Sequence, residues 1–263
     1  MNWFEAMVLG LVQGLTEFLP VSSSGHLELG KHLFGINADA NFYFSVAVHG
    51  ATVLSTLVVL WKEIVILLKG SLIFKMNEET SYVLKIIVSM IPVGIAGIFM
   101  NEIAKTFFAG NMISLGIEFL VTALLLFIPA FIKPREKPIS FLDSFIIGIA
   151  QMIAVLPGVS RSGATIATGL MLGNRKSDIA KFSFLMVLVP VIGANLMEMR
   201  SGDFSTEGTS FYVIALGFVT AFISGYFACK WMISLVKKGS LTAFAVYCVA
   251  IGIFSILLGL NVF

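Results

Sequence analysis

The sequence predicts an all-α protein that crosses a lipid bilayer several times, and three observations carry that prediction. Only 12% of the 263 residues are charged and 58% are hydrophobic, with a mean hydropathy of +0.98. Soluble domains are about 25% charged, so lipid is the main solvent here. Six stretches are long and apolar enough to span as helices: about 42–61, 80–99, 112–132, 177–199, 211–235 and 241–262. Two further stretches, 3–34 and 140–172, each hold a helix-length apolar piece, a Pro/Ser/Gly break and a short second piece.

The two breaks read LPVSSSGH and LPGVSRSGAT. Neither half of an interrupted stretch is long enough to span alone. A helix–loop–helix that enters the membrane and returns to the same side suits the pattern. Irregular backbone at that depth is tolerated only where protein or a watery cavity surrounds it.

The interrupted stretches also resemble each other. A shift of 138 residues places Gly10 on Gly148, Gln13 on Gln151, Ser22 on Ser160, Ser24 on Ser162, Gly25 on Gly163 and Gly35 on Gly173. This predicts an internal repeat within a single integral-membrane domain, 1–263. Repeat 1 covers about 3–132 and repeat 2 about 140–262, each with one re-entrant pair and three spanning helices. Three crossings per copy require the second copy to be inverted. Inverted repeats with broken helices place their site at the repeat interface near the midplane.

Lys and Arg set the orientation. Threading the chain gathers 62–79, 133–139, 173–181 and 236–240 on one side, with eleven of the 17 Lys/Arg against three on the other. That side is predicted to be cytoplasmic, with both termini outside. The first re-entrant pair then enters from outside and the second from the cytoplasm. A net charge of +2 argues against a nucleic-acid partner. Cys229 and Cys248 lie in apolar runs and read as packing residues.

The breaks concentrate the chemistry. Arg161 at a re-entrant tip costs at least about 2.5–3.5 kcal/mol unless paired or wet. It is either a structural partner of Glu17 or part of a ligand site. Ser160 or Ser162 can cap the helix that follows. Ser22 to Ser24 precede a helix expected to start near Gly25 and His26. Two helix N-termini, a guanidinium and several hydroxyls suit phosphate. The predicted binding set is Gln13, Ser22, Ser24, Gly25, Ser160, Ser162, Gly163 and Thr165. Gln13 and Glu17 stand one helical turn apart, and Glu17 among phosphates can hold a divalent cation, Mg²⁺ or Ca²⁺. His26 reads as nucleophile, acid or passive donor. His49 and Glu118 read as structural or cavity-lining residues.

QGLTEFLPVSSSGHL followed by LPGVSRSGATI resembles the undecaprenyl-diphosphate phosphatase, or bacitracin-resistance, family across the whole chain. The family's first motif maps to Gln13 and Glu17, its second to Pro20 through His26, and its third to Pro157, Gly158, Ser160, Arg161, Ser162 and Thr165. The resemblance implies metal-dependent removal of the terminal phosphate from a polyprenyl diphosphate. Glu17 and Arg161 would be catalytic, and Ser23 or His26 would attack phosphorus. A transporter of polyprenyl phosphates is the alternative that this architecture also suits. Membrane lipids surround the chain in either reading, and a second copy of the chain is a candidate partner.

The topology predicts that a cysteine introduced at position 135 stays unlabelled by a membrane-impermeant maleimide in intact cells. Labelling without lysis would reverse the orientation.

Overall fold

A computed structural model describes residues 1–36, 42–73, 75–99, 111–133, 135–155, 158–201, 210–238 and 241–261. Among these the elements are helical: α1 (Trp3–Phe18), α2 (Ser23–Phe34), α3 (Phe42–Val59), α4 (Trp61–Ser71), α5 (Glu78–Phe99), α6 (Met112–Phe127), α7 (Phe141–Ile153), α8 (Arg161–Met171), α9 (Lys176–Ser201), α10 (Phe211–Lys238) and α11 (Thr242–Gly259). A 3₁₀ turn, Ile128–Phe131, extends α6. Five helices are long and apolar enough to cross a membrane: α5, α6 with its 3₁₀ extension, α9, α10 and α11. The chain is an all-α polytopic membrane protein.

The sixth expected span differs from its prediction. α3 reaches membrane length only together with α4, and the two are bent by 71° at a one-residue break, Leu60. The segment 62–79 was expected to be a loop, yet its first part continues as helix. No residue of α4 is fully buried, but Ile64 and Leu67 are partly buried and pack against the main core. An ion pair, Lys181 Nζ to Glu63 Oε1 at 2.7 Å, ties α4 to α9.

The interrupted stretches fold as pairs of short helices. α1 has 16 residues and α7 has 13. At about 1.5 Å per residue neither spans a hydrocarbon core about 30 Å thick. Both start with a capping box. Asn2 and Glu5 exchange side-chain and backbone hydrogen bonds at α1, and Ser140 and Asp143 do so at α7. These boxes also stand 138 residues apart. Both second helices end on glycine in the left-handed region, Gly35 at φ +64° and Gly173 at φ +85°.

Packing between the halves is reciprocal. α1 lies along α10, and α7 lies along α5; α6 and α11 pack on each other. The approaches are close enough to need glycine. A Cβ on Gly10 would stand 2.4 Å from Gly217 O on α10, and one on Gly148 would stand 2.3 Å from Ser89 O on α5. The main apolar core between the halves includes Phe182, Ile147, Ile166, Ile179, Met186 and Met232. Cys229 and Cys248 are buried free thiols, as packing residues should be.

At the basic end, residue 137 forms an isolated bridge with Asn174. Asp143 accepts from Lys137 Nζ at 2.9 Å and from Asn174 Nδ2 at 3.0 Å. Burial disfavours the Asp143 carboxylate, but these bonds and those from Ser140 outweigh it and draw its pKa down to about 2.

Gly10→Val drives a side chain into the α10 backbone and is expected to destabilise by about 1–3 kcal/mol. Gly94→Ala, which meets open space, is the control and is expected to be neutral or slightly stabilising. Thermal unfolding of the two variants in detergent checks both.

Candidate phosphate-binding site

The two breaks meet. Between them lies an open cavity of about 580 Å³, lined by Glu17, Ser22, Ser23, Ser24, Ser160, Arg161 and Ser162, with Thr16 and residues of α3 and α9.

The second helix of each pair begins with a serine cap. Ser22 Oγ accepts from Gly25 N at 3.2 Å, and Ser160 Oγ accepts from Gly163 N at 3.0 Å. α2 therefore starts at Ser23, two residues earlier than expected, because Ser22 rather than Ser24 is the cap. Ser22 sits at φ +69°, a region non-glycine residues avoid at a cost of order 1–3 kcal/mol. Its carbonyl accepts from His26 N at 3.2 Å and from His26 Nδ1 at 2.7 Å. These bonds hold the strained turn.

Glu17 is the hub. Its Oε1 accepts from Arg161 Nη2 at 3.0 Å; its Oε2 accepts from Ser23 Oγ at 2.5 Å and from Gln13 Nε2 at 2.9 Å. The Glu17 and Arg161 side chains are 12% and 29% exposed, so the pair is mostly withdrawn from solvent. A lone charge there would be costly, and pairing offsets part of that cost. His49 lies near enough to act electrostatically on Glu17.

Further bonds lock the breaks together. Gly158 N donates to Ser24 Oγ at 3.2 Å, and Ser162 Oγ donates to the Leu19 carbonyl at 3.2 Å. Ser160 N donates to Thr122 Oγ1 on α6 at 3.1 Å.

Several expected site residues lie behind the cavity wall. Thr165 is fully buried and bonds Ser183 of α9 at 2.5 Å. Gln13 is fully buried behind Glu17. Gly25 and Gly163 present backbone N–H groups to the caps. Pro157 lies outside the described residues. His26 is turned away from Ser23: its Nε2 is 2.8 Å from Tyr247 Oη, so both ring nitrogens are engaged elsewhere.

Sequence reasoning missed Thr16, Thr52 and Thr56, which line the cavity. The last two share a face of α3 at i, i+4, a signal that an apolar helix hides. Tyr247 and Thr122 carried no signal, because their partners are distant in sequence. The Glu118 carboxylate lies against the second break, with Oε2 where a Gly158 Cβ would be.

Among the described residues no three His, Cys, Asp or Glu side chains form a metal cluster. Gln13 Oε1 is nevertheless buried with no hydrogen-bond partner, beside the Glu17 carboxylate. Gln13 does not line the cavity, so Glu17 is the residue that presents a hard carboxylate oxygen to it, the donor type that Mg²⁺ or Ca²⁺ takes beside phosphate oxygens and water.

The sequence matches the model of a family described as bacitracin resistance protein BacA over residues 6–254. It is 52% identical over 260 residues to the undecaprenyl-diphosphatase of Parabacteroides distasonis, covering 97% of this chain and 98% of that protein. The undecaprenyl-diphosphatase of Bacteroides fragilis gives the same figures. That of the more distant Methanosphaera stadtmanae is 39% identical over 97% of both chains. With matches that run nearly end to end and a site assembled from both halves, the chain belongs to the bacitracin resistance protein BacA family.

Proposed function

We infer that this protein hydrolyses undecaprenyl diphosphate to undecaprenyl phosphate and inorganic phosphate. It thereby recycles the lipid carrier of cell-wall synthesis and gives resistance to bacitracin. The observation that carries the chemistry is Ser23 bonded to Glu17, and Glu17 to Arg161, at the meeting point of two serine-capped helix N-termini.

Ser23 Oγ attacks the terminal phosphorus. Its proton passes to Glu17 Oε2, which already accepts it at 2.5 Å. The bridging P–O bond breaks and undecaprenyl phosphate leaves. Water then hydrolyses the phosphoserine and releases inorganic phosphate. Arg161 and the N–H groups of α2 and α8 bind the oxygens on which charge develops. Attack by His26 is disfavoured, since both its nitrogens are occupied. Glu17 would hold Mg²⁺ or Ca²⁺, which when bound would offset phosphate charge.

We also read the halves as inverted copies in the bacterial plasma membrane, with both termini outside and substrate entering from the outer face. The repeated caps, the paired close approaches and the Lys/Arg bias support this reading. Nothing in the site favours a carrier of polyprenyl phosphates over the enzyme.

Purified protein with Mg²⁺ or Ca²⁺ is expected to release phosphate from undecaprenyl diphosphate in detergent. No release by well-folded protein across several metals would end the enzyme reading. Arg161→Lys keeps the charge but loses the planar fork. Its kcat is expected to fall about 10²–10³-fold, roughly 2.7–4 kcal/mol, with thermal stability kept. Near-normal turnover would leave Arg161 a structural partner of Glu17. An intermediate trapped by acid quench is expected to be acid-stable phosphoserine and absent in Ser23→Ala. An acid-labile adduct would move the attack to His26.

A further inference from the structure

His26 contacts two aromatic rings, and one of them carries a hydroxyl aimed at it. Phe119 of α6 meets the imidazole edge-on at 5.0 Å between centroids. Tyr247 of α11 lies nearly parallel to it, 5.6 Å away with planes 5° apart. His26 is 9% exposed and Tyr247 42%, so the phenol shields the imidazole from the surroundings.

The hydrogen bonds fix the tautomer. His26 Nδ1 is 2.7 Å from the Ser22 carbonyl, which can only accept, so Nδ1 carries the hydrogen. In the neutral ring Nε2 then holds the lone pair, and Tyr247 Oη donates to it at 2.8 Å. The chain runs Tyr247 O–H, His26, Ser22 carbonyl. Ser22 is the strained cap at φ +69°, and the next residue is Ser23. A group on α11 thus reaches the serine turn through 221 residues of sequence separation.

We propose that Tyr247 is a positioning residue: its hydroxyl holds His26 as the Nδ1–H tautomer, so that the imidazole braces the Ser22 carbonyl and keeps Ser23 seated against Glu17. Tyr247 is not among the residues that line the cavity. Its effect on rate rests on the phosphatase reading; its effect on His26 does not.

Tyr247→Phe retains the ring contact and removes one hydroxyl. In ¹⁵N-histidine NMR of the full chain in detergent, with His26→Gln to assign the signal, the wild-type protein is expected to show Nδ1–H and a hydrogen-bonded Nε2. Tyr247→Phe is expected to lose the hydrogen-bonded Nε2 shift. Its kcat is expected to fall about tenfold, the rate equivalent of one net hydrogen bond, with KM held within roughly twofold. An Nε2–H tautomer in the wild-type protein would overturn the proposal, and that spectrum decides even if the variant fails to fold. A changed spectrum with unchanged kcat would remove the positioning role. Absence of phosphate release by the wild-type protein would sink the enzyme reading and leave the tautomer result standing.

Discussion

The ion pair between Glu17 and Arg161 is the constraint around which the molecule is organised. The two residues are 144 apart in sequence, on different re-entrant breaks, and 3.0 Å apart in space. Neither charge is tolerable in a bilayer interior without the other. The short helices, the serine caps and the glycine approaches between halves all serve to bring these tips together. The cavity forms where they meet, so the most polar chemistry of an apolar chain is gathered in one sheltered place.

The halves share a backbone plan and divide the side-chain work. The first residue of each re-entrant helix occupies the same slot, and that slot holds Ser23 in one half and Arg161 in the other. Applying the 138-residue shift, Glu17 corresponds to Val155 and His26 to Ala164. The first half carries Ser23 and its carboxylate partner Glu17, and the second carries the Arg161 cation. The reacting group and the charge that would stabilise the reaction are held by the same kind of turn.

Much of this was legible from the chain because it is written locally. Caps and apolar run lengths depend on a few neighbouring residues, so the Ser160 cap and the pairs of short helices around each break could be read directly. The pairing of Glu17 with Arg161 was accessible because two charges in apolar surroundings need each other. α4 was not legible: its lysines mark a loop in a hydropathy reading, while its helical spacing shows only beside the bend at Leu60. The roles of Thr122 and Tyr247 depend on which helices touch. The role of His26 stayed open in the sequence for the same reason, since its partner on α11 has no trace near the SSSGH motif.

Among the described residues, three hydrogen-bonded links cross directly between the breaks: Glu17 with Arg161, Ser24 with Gly158, and Ser162 with the Leu19 carbonyl. Mechanically they make a weld rather than a hinge. Sliding one half against the other would break all three together, in a medium that offers few replacement partners. The remaining cavity walls are Thr52, Val53 and Thr56 on α3 and Phe184, Val187, Leu188 and Val191 on α9. They face the cavity mostly with apolar groups and hydroxyls, without charged links across it. The cavity therefore has a polar floor cross-linked between the two breaks, under walls that α3 and α9 form without charged links across it.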